Sequence, residues 1–378
     1  MNHYDKIIRP VWAEIDLQAL RHNLHEVRRL VGPEVEIMAV VKAEAYGHGA
    51  VKVAQTAIEN GASWLGVSLP EEGIVLRKAG FTVPILVFEA LQPEQVDAFI
   101  DYDLTATVCI LDSAIALSRA ALKAGKTAAL HVKVDTGMGR VGVCYSDALK
   151  IVKGIAKLPA IQTTGIYSHL ATADQENKDF ANLQIKRFTK VVSELREAGL
   201  LPGKVHLANS AAIIDLPASY FNMVRPGIML YGMKPSSEMS LSGKVDLQPV
   251  LSLKTKVIFV KRVPAQTGIS YGHCYRTKKE TTIVTIPIGY GDGWSRRLTN
   301  QAEAIIGGKK YPVVGAICMD QCMIDVGDDP VELGASVTLI GKDGEAEITV
   351  DSIAETLGTI NYEITCMLGS RVPRVYKS

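Results

Sequence analysis

IQTTGIYSHLATADQENKDFANLQIKRFTKVVSELREAGLLPGKVHLA, residues 161–208, carries the pattern that decides the fold. Its ends, IQTTGIYS (161–168) and KVHLA (204–208), are short apolar and β-branched runs, the composition of strands. Between them DFANLQIKRFTKVVSELREAG (179–199) repeats apolar residues at three- and four-residue spacing until a glycine ends the run. That is an amphipathic helix with its stop signal. Strand, helix, strand in this order builds a parallel sheet.

The same unit recurs on both sides. EIMAVVK (36–42), WLGVS (64–68), PILVFE (84–89), LTATV (104–108) and AALHVKVD (128–135) precede it, and FNMVR (221–225) follows. Helix-like stretches such as GAVKVAQTAIEN (49–60) lie between them. Eight strands alternating with helices is the number that closes into a (β/α)8 TIM-like barrel, an α/β fold. A doubly wound open sheet is the alternative arrangement of the same elements. After about residue 245, strand-like runs separated by Gly, Pro and Asp take over, and DSIAETLG (351–358) is the one convincing helix. The chain therefore reads as a barrel domain over residues 1–240 and a smaller, mostly β C-terminal domain over 241–378. The polar segment KPSSEMSLSGKVDLQ (234–248) marks the boundary.

Composition narrows the function. Hydrophobic residues make up 47% of the 378, enough for two buried cores. Forty-one Lys plus Arg against 40 Asp plus Glu leave a net charge of +1, no footprint for nucleic acid or an anionic membrane. MNHYDKIIRP lacks the apolar core of a signal peptide, and no apolar stretch is long enough to span a bilayer. The cysteines at 109, 144, 274, 318, 322 and 366 form no C-x-x-C pair, so reduced thiols are expected, with no disulfide framework and no metal site. A cytoplasmic protein is the expectation.

A barrel gathers its reactive groups at the C-terminal ends of its strands. Lys42 closes the first strand, Arg140 follows the fifth, His169 closes the sixth, Asn209 and Ser210 follow the seventh, and Arg225 closes the eighth. Singly, each has an ordinary explanation: a solvated lysine, a hydrogen-bonded histidine, a surface ion pair. Together they crowd one face. The last two loops of such barrels commonly hold phosphate, and here they bring the Ser210 hydroxyl and the backbone N–H groups of Gly227 and Ile228. A lysine, a phosphate pocket and no metal motif point to pyridoxal phosphate (PLP) held as a Schiff base.

VVKAEAYGHG (40–49) resembles the PLP-lysine signature of bacterial alanine racemases. The resemblance continues through HVKVDTGMGRVG (131–142), YSHLATAD (167–174), HLANSAA (206–212) and NMVRPGIMLYG (222–232). It extends through GISYGHCY (268–275), PIGYGDGW (287–294), AICMDQ (316–321), GTINYE (358–363) and SRVPRVY (370–376). It implies interconversion of L-alanine and D-alanine, supplying D-alanine for cell-wall peptidoglycan. It also implies a homodimer whose sites are shared, with Tyr271 and Met319 reaching each site from the partner subunit.

The roles it implies are these. Lys42 carries PLP and is the base on one face of the α-carbon; Tyr271 is the base on the other. Tyr46, Ser210, Gly227, Ile228 and Tyr362 hold the phosphate, with Asn209 beside them. Arg225 faces the pyridine nitrogen with His169 behind it. Arg140 meets the phenolic oxygen and the substrate carboxylate, helped by the Met319 backbone N–H. Lys133 matches a lysine often carbamylated in the family. Arginine is effectively always protonated, so at the ring nitrogen it favours the unprotonated ring and a short-lived carbanion.

Two positions depart from the family pattern: Glu44 replaces the usual Asn or Asp, and Ala316 replaces an arginine of the substrate corridor. They leave substrate breadth open, with a serine or broad-specificity racemase as the nearest alternative. A decarboxylase of the same fold using Cys318 is a second, and a non-catalytic PLP carrier is a third, of another class.

Overall fold

The computed structural model describes residues 8–378, so the first seven residues of MNHYDKIIRP lie outside the described residues. The chain divides into two compact units. One is built from Leu20–Ala45 and Ala50–Gln248; the other takes the described residues up to Ala19, Tyr46–Gly49, and Pro249–Ser378.

The first unit is a closed eight-stranded parallel barrel. Its strands are Glu36–Val40, Trp64–Val67, Ile85–Ala90, Thr105–Val108, Ala128–Asp135, Ile161–Tyr167, Lys204–His206 and Met223–Val224. Each pairs in parallel with the next, and the last pairs back to the first through Met223 with Glu36 and Val224 with Ile37. That closing pair excludes the open sheet. Met38, Trp64, Leu86, Tyr167 and Met223 form one packed cluster, with Phe88 against it, as inward side chains filling a barrel should. The helix Asp179–Glu197 buries Ala181, Ile185, Phe188, Val192 and Leu195 along one face, the stripe its spacing predicted.

The second unit is a long, mostly antiparallel sheet. The strand Val11–Asp16 lies in it, antiparallel to Leu251–Lys256 and parallel to Arg374–Lys377. These residues, expected within the barrel domain, instead pair with strands of this sheet. Their strict inside–outside alternation in VWAEID belongs to a two-faced sheet, whereas barrel strands are buried on both sides. A second helix, Asn361–Met367, follows Val350–Leu357; at seven residues it is too short to show a helical period in sequence. Among the described residues no helix is long and apolar enough to cross a membrane.

Candidate active site

Lys42 opens a turn with unusual backbone geometry. The residues Lys42–Gly47 form one helical turn in which Ala43, Glu44, Ala45 and Tyr46 have φ of 51°, 54°, 53° and 54°, followed by Gly47 at 84°. This is left-handed backbone, costing roughly 1–2 kcal/mol for each non-glycine residue. Four in succession are held only where surrounding contacts over-determine them, which happens mostly at functional sites. Ala43 N–H donates to Glu72 Oε1 at 2.6 Å, and Glu44 Oε2 accepts from Ala50 N–H at 3.2 Å. In the second unit, Gly47 lies so close to Thr365 that a Cβ would sit 2.0 Å from its carbonyl oxygen. Only glycine fits there.

Several cations act on one another within the barrel unit. Lys133 is buried, and burial followed by the fields of Arg140, Arg225 and Lys42 lowers its ammonium to about 8. His169 is held well below its usual value by burial, then by Arg225, Arg140, Lys133 and Lys42. The charged groups acting on His169 are thus four cations converging on one place. Arg225 is buried and hydrogen-bonds to neutral acceptors: His206 Nδ1 at 3.0 Å, His169 Nδ1 at 3.3 Å, and the carbonyls of Ser168 and Leu207. Burial lowers its guanidinium to about 10, leaving it charged at neutral pH.

Behind Arg225 runs a buried aromatic network. His206 Nε2 meets His131 Nδ1 at 2.9 Å, and Tyr167 stacks on His206 with ring centroids 4.8 Å apart and planes 4° from parallel. Arg225 and Lys133 lie over the Tyr167 ring at 5.3 and 5.2 Å, a cation–π arrangement. Neither His131, His206 nor Tyr167 was picked out from sequence. A signal existed: His131 and Lys133 are two apart on one strand and so share a face.

Ser210 Oγ accepts from Gly227 N–H at 2.9 Å and Met229 N–H at 3.4 Å, tying together the last two loops. Asn209 caps the helix Ser210–Asp215 through its side-chain oxygen, which accepts from Ala212 N–H at 3.1 Å. Arg140 is exposed and Lys42 half-buried. Within this unit, then, Lys42, Lys133, Arg140, His169 and Arg225 share one electrostatic neighbourhood, and Ser210, Gly227 and Ile228 form an adjoining pair of loops.

The second unit holds the remaining expected residues. Tyr46 is buried with its ring centroid 6.0 Å from that of Tyr362, and burial, then Tyr362 and Cys366, push its phenol upward. Tyr271 is 73% exposed and Met319 52% exposed. Their segments are joined, because Ser270 Oγ donates to the Ala316 carbonyl at 2.6 Å. All six cysteines are free. Among the described residues no group of three His, Cys, Asp or Glu is placed to hold a metal ion.

The family profile "Alanine racemase, N-terminal domain" matches residues 15–235, and "Alanine racemase, C-terminal domain" matches residues 250–376. A protein of Methanococcus maripaludis named alanine racemase is 46% identical over 373 residues, covering 98% of this chain and 99% of that one. The solved alanine racemase of Clostridium difficile superposes with a TM-score of 0.94 at 40% identity, covering 98% of this chain and 97% of that one. A histidine racemase of Leuconostoc mesenteroides superposes with a TM-score of 0.92 at 29% identity, over the full length of both.

Proposed function

Because the chain belongs to the alanine racemase family, we propose that its strand-end cluster holds pyridoxal phosphate and interconverts L-alanine and D-alanine by two bases. The carrying observation is the placing of two cations, Arg225 and Lys133, over the one buried Tyr167 ring at 5.3 and 5.2 Å, with Arg225 3.3 Å from His169 Nδ1 and Lys42 and Arg140 adding to the field at His169. Four cations at the mouth of a barrel call for an anion, and the phosphate and phenolate of PLP supply it. Ser210, Gly227 and Ile228, with Asn209 shaping the loop, and Tyr46 with Tyr362 are the phosphate's assigned holders. Ser210 Oγ accepts from Gly227 N–H at 2.9 Å, so its own O–H proton is the donor it would offer such a phosphate.

Bound PLP supplies an electron sink that acidifies the substrate's α-proton. Lys42 and Tyr271 then each accept or return a proton at the α-carbon, one on each face. Arg140 and the Met319 N–H orient the substrate carboxylate. Arg225, a cation whose direction is fixed by His206 and His169, would face the ring nitrogen. Lys133, at about 8, keeps a neutral fraction at neutral pH. That amine adds to carbon dioxide, releasing a proton and leaving a carbamate whose negative charge pairs with Arg140.

The exposure of Tyr271 and Met319 supports a homodimer in which each completes the partner's site. The domains are a barrel over 1–240 and a β domain over 241–378, with Val11–Asp16 given to the β sheet; the location is cytoplasmic and the D-alanine is destined for peptidoglycan. The relative at 29% identity acts on histidine by its name, while alanine racemases match at 46%, which favours alanine over serine or a broad substrate range.

The test is incubation of the PLP-loaded protein with L-alanine in deuterated water. D-alanine carrying one α-deuterium is expected. Bound PLP with neither D-alanine nor exchange overturns the reading, and serine and then decarboxylation are assayed next.

A further inference from the structure

Glu72 sits at an unusual junction. It is the third residue of the helix Pro70–Lys78, after the second barrel strand. Its Oε2 accepts from Ser68 N–H at 2.6 Å and Leu69 N–H at 3.1 Å. These bonds cap the helix start, where backbone donors lack partners. Its other oxygen, Oε1, reaches across to the end of the first barrel strand and accepts from Ala43 N–H at 2.6 Å. One carboxylate thus joins the loops after two neighbouring strands, and it grips the amide directly following Lys42.

That amide opens the left-handed run. Ala43 to Tyr46 all have φ between 51° and 54°, so the segment is strained by several kcal/mol (roughly 1–2 per residue) relative to right-handed or extended backbone. Without a fixed acceptor, Ala43 relaxes toward negative φ. Because Ala43 shares a peptide bond with Lys42, that rotation redirects the lysine side chain. A hydrogen bond to an ionised carboxylate is among the stronger ones available to an amide. Glu72 is half-buried, so its place is shielded without the cost of full burial.

We propose that Glu72 is a positioning residue for Lys42, acting through the Ala43 amide to hold the left-handed turn that aims the lysine. This rests on the assignment of Lys42 as the PLP-carrying base. Glu72 itself touches neither cofactor nor substrate; it fixes the backbone from which the base is presented.

Glu72→Gln separates the two jobs of the carboxylate. A glutamine has one oxygen, which is retained by the two N–H groups of Ser68 and Leu69, and its NH2 then faces the Ala43 N–H. The helix keeps its cap and the turn loses its clamp. In protein labelled with 15N-alanine and free of cofactor, the Ala43 amide signal is expected to move upfield and exchange faster. PLP capture at Lys42, trapped with borohydride and located by mass, slows about tenfold, and kcat falls in proportion with KM little changed. Ala43→Gly added to Glu72→Gln restores most of the capture rate, since glycine adopts positive φ without steric cost. An unmoved Ala43 signal, unchanged capture, or no rescue by glycine overturns the proposal. If Glu72→Gln does not fold, the unsubstituted protein decides: an Ala43 amide exchanging as fast as a free surface amide overturns it. Lys42→Ala provides the separate check on the parent assignment. If that variant still forms the trapped PLP adduct and racemises alanine, the assignment of Lys42 fails, whatever Glu72 does.

Discussion

Arg225 Nη1 lies 3.0 Å from His206 Nδ1, and this one contact fixes the proton positions of two buried histidines. A guanidinium only donates, so His206 Nδ1 accepts and its proton sits on Nε2. That proton is donated to His131 Nδ1 at 2.9 Å, leaving the His131 proton on its own Nε2. Two neutral rings of the same tautomer stand behind one cation.

Both rings should therefore stay neutral across the working range. Burial, then Arg225 and Lys204, lowers His131 to about 3, and burial, then Arg225 and His131, lowers His206 well below its usual value. Nitrogen-15 spectra should show Nε2–H tautomers with no titration near pH 6.5; a titrating His206 signal contradicts the assignment.

Acid stability follows with a definite sign. A histidine whose folded pKa is depressed binds its proton more readily when unfolded, so its contribution is intact above the unfolded value of about 6.5 and is lost as pH falls. For His131 the window runs from about 6.5 down to about 3. Denaturant melts should lose on the order of 1.4 kcal/mol per pH unit for each such ring, and His131→Asn should flatten that slope.

Gly165 is paired with His131 on the neighbouring barrel strand, and a Cβ there would lie 2.5 Å from the imidazole Cε1 and Nε2. Gly165→Ala should push the ring off His206, cost roughly 1–3 kcal/mol by overpacking, and reduce kcat more than it raises KM. A variant with wild-type kcat and a displaced ring would show that the network does not govern Arg225.

Lys133 should carry a carbamate. Native mass at neutral pH is expected to be heavier by one carbon dioxide, with the addition lost on acidification and absent from Lys133→Ala. A bare amine in every condition contradicts it.

Shared sites predict complementation. Lys42→Ala and Tyr271→Ala proteins, each nearly inactive, should regain up to about a quarter of the unsubstituted rate after mixing and re-pairing, since half the dimers then hold one intact site. In the same vein, Tyr271→Phe should slow α-deuterium exchange of one enantiomer far more than of the other. Equal slowing would remove the two-base assignment.

The barrel was legible because strands such as Trp64–Val67 and Thr105–Val108 are buried on both faces and helices such as Asp179–Glu197 show one apolar stripe, patterns that survive without tertiary knowledge. The strand-end residues were legible for a related reason: strand ends define the mouth. Val11–Asp16 was not picked out as a strand, because both its partners lie some 240 or more residues away. His206 escaped notice because its significance lies in one contact with Arg225, nineteen residues away. The left-handed turn was invisible altogether. KAEAY contains no glycine to announce positive φ, and the restraints come from Glu72, twenty-nine residues on from Ala43.

The sheet that takes Val11–Asp16 between Leu251–Lys256 and Arg374–Lys377 sets an order of events at the ribosome. Residues 11–16 are made some 240 residues before one neighbour and some 360 before the other. The barrel can gather itself while the chain is still growing, as N-terminal units generally do. Val11–Asp16 must meanwhile wait with its hydrogen-bonding edges bare. Chains cut before Arg374 therefore leave Val11–Asp16 with a bare edge, and such chains are expected to aggregate or to need a chaperone.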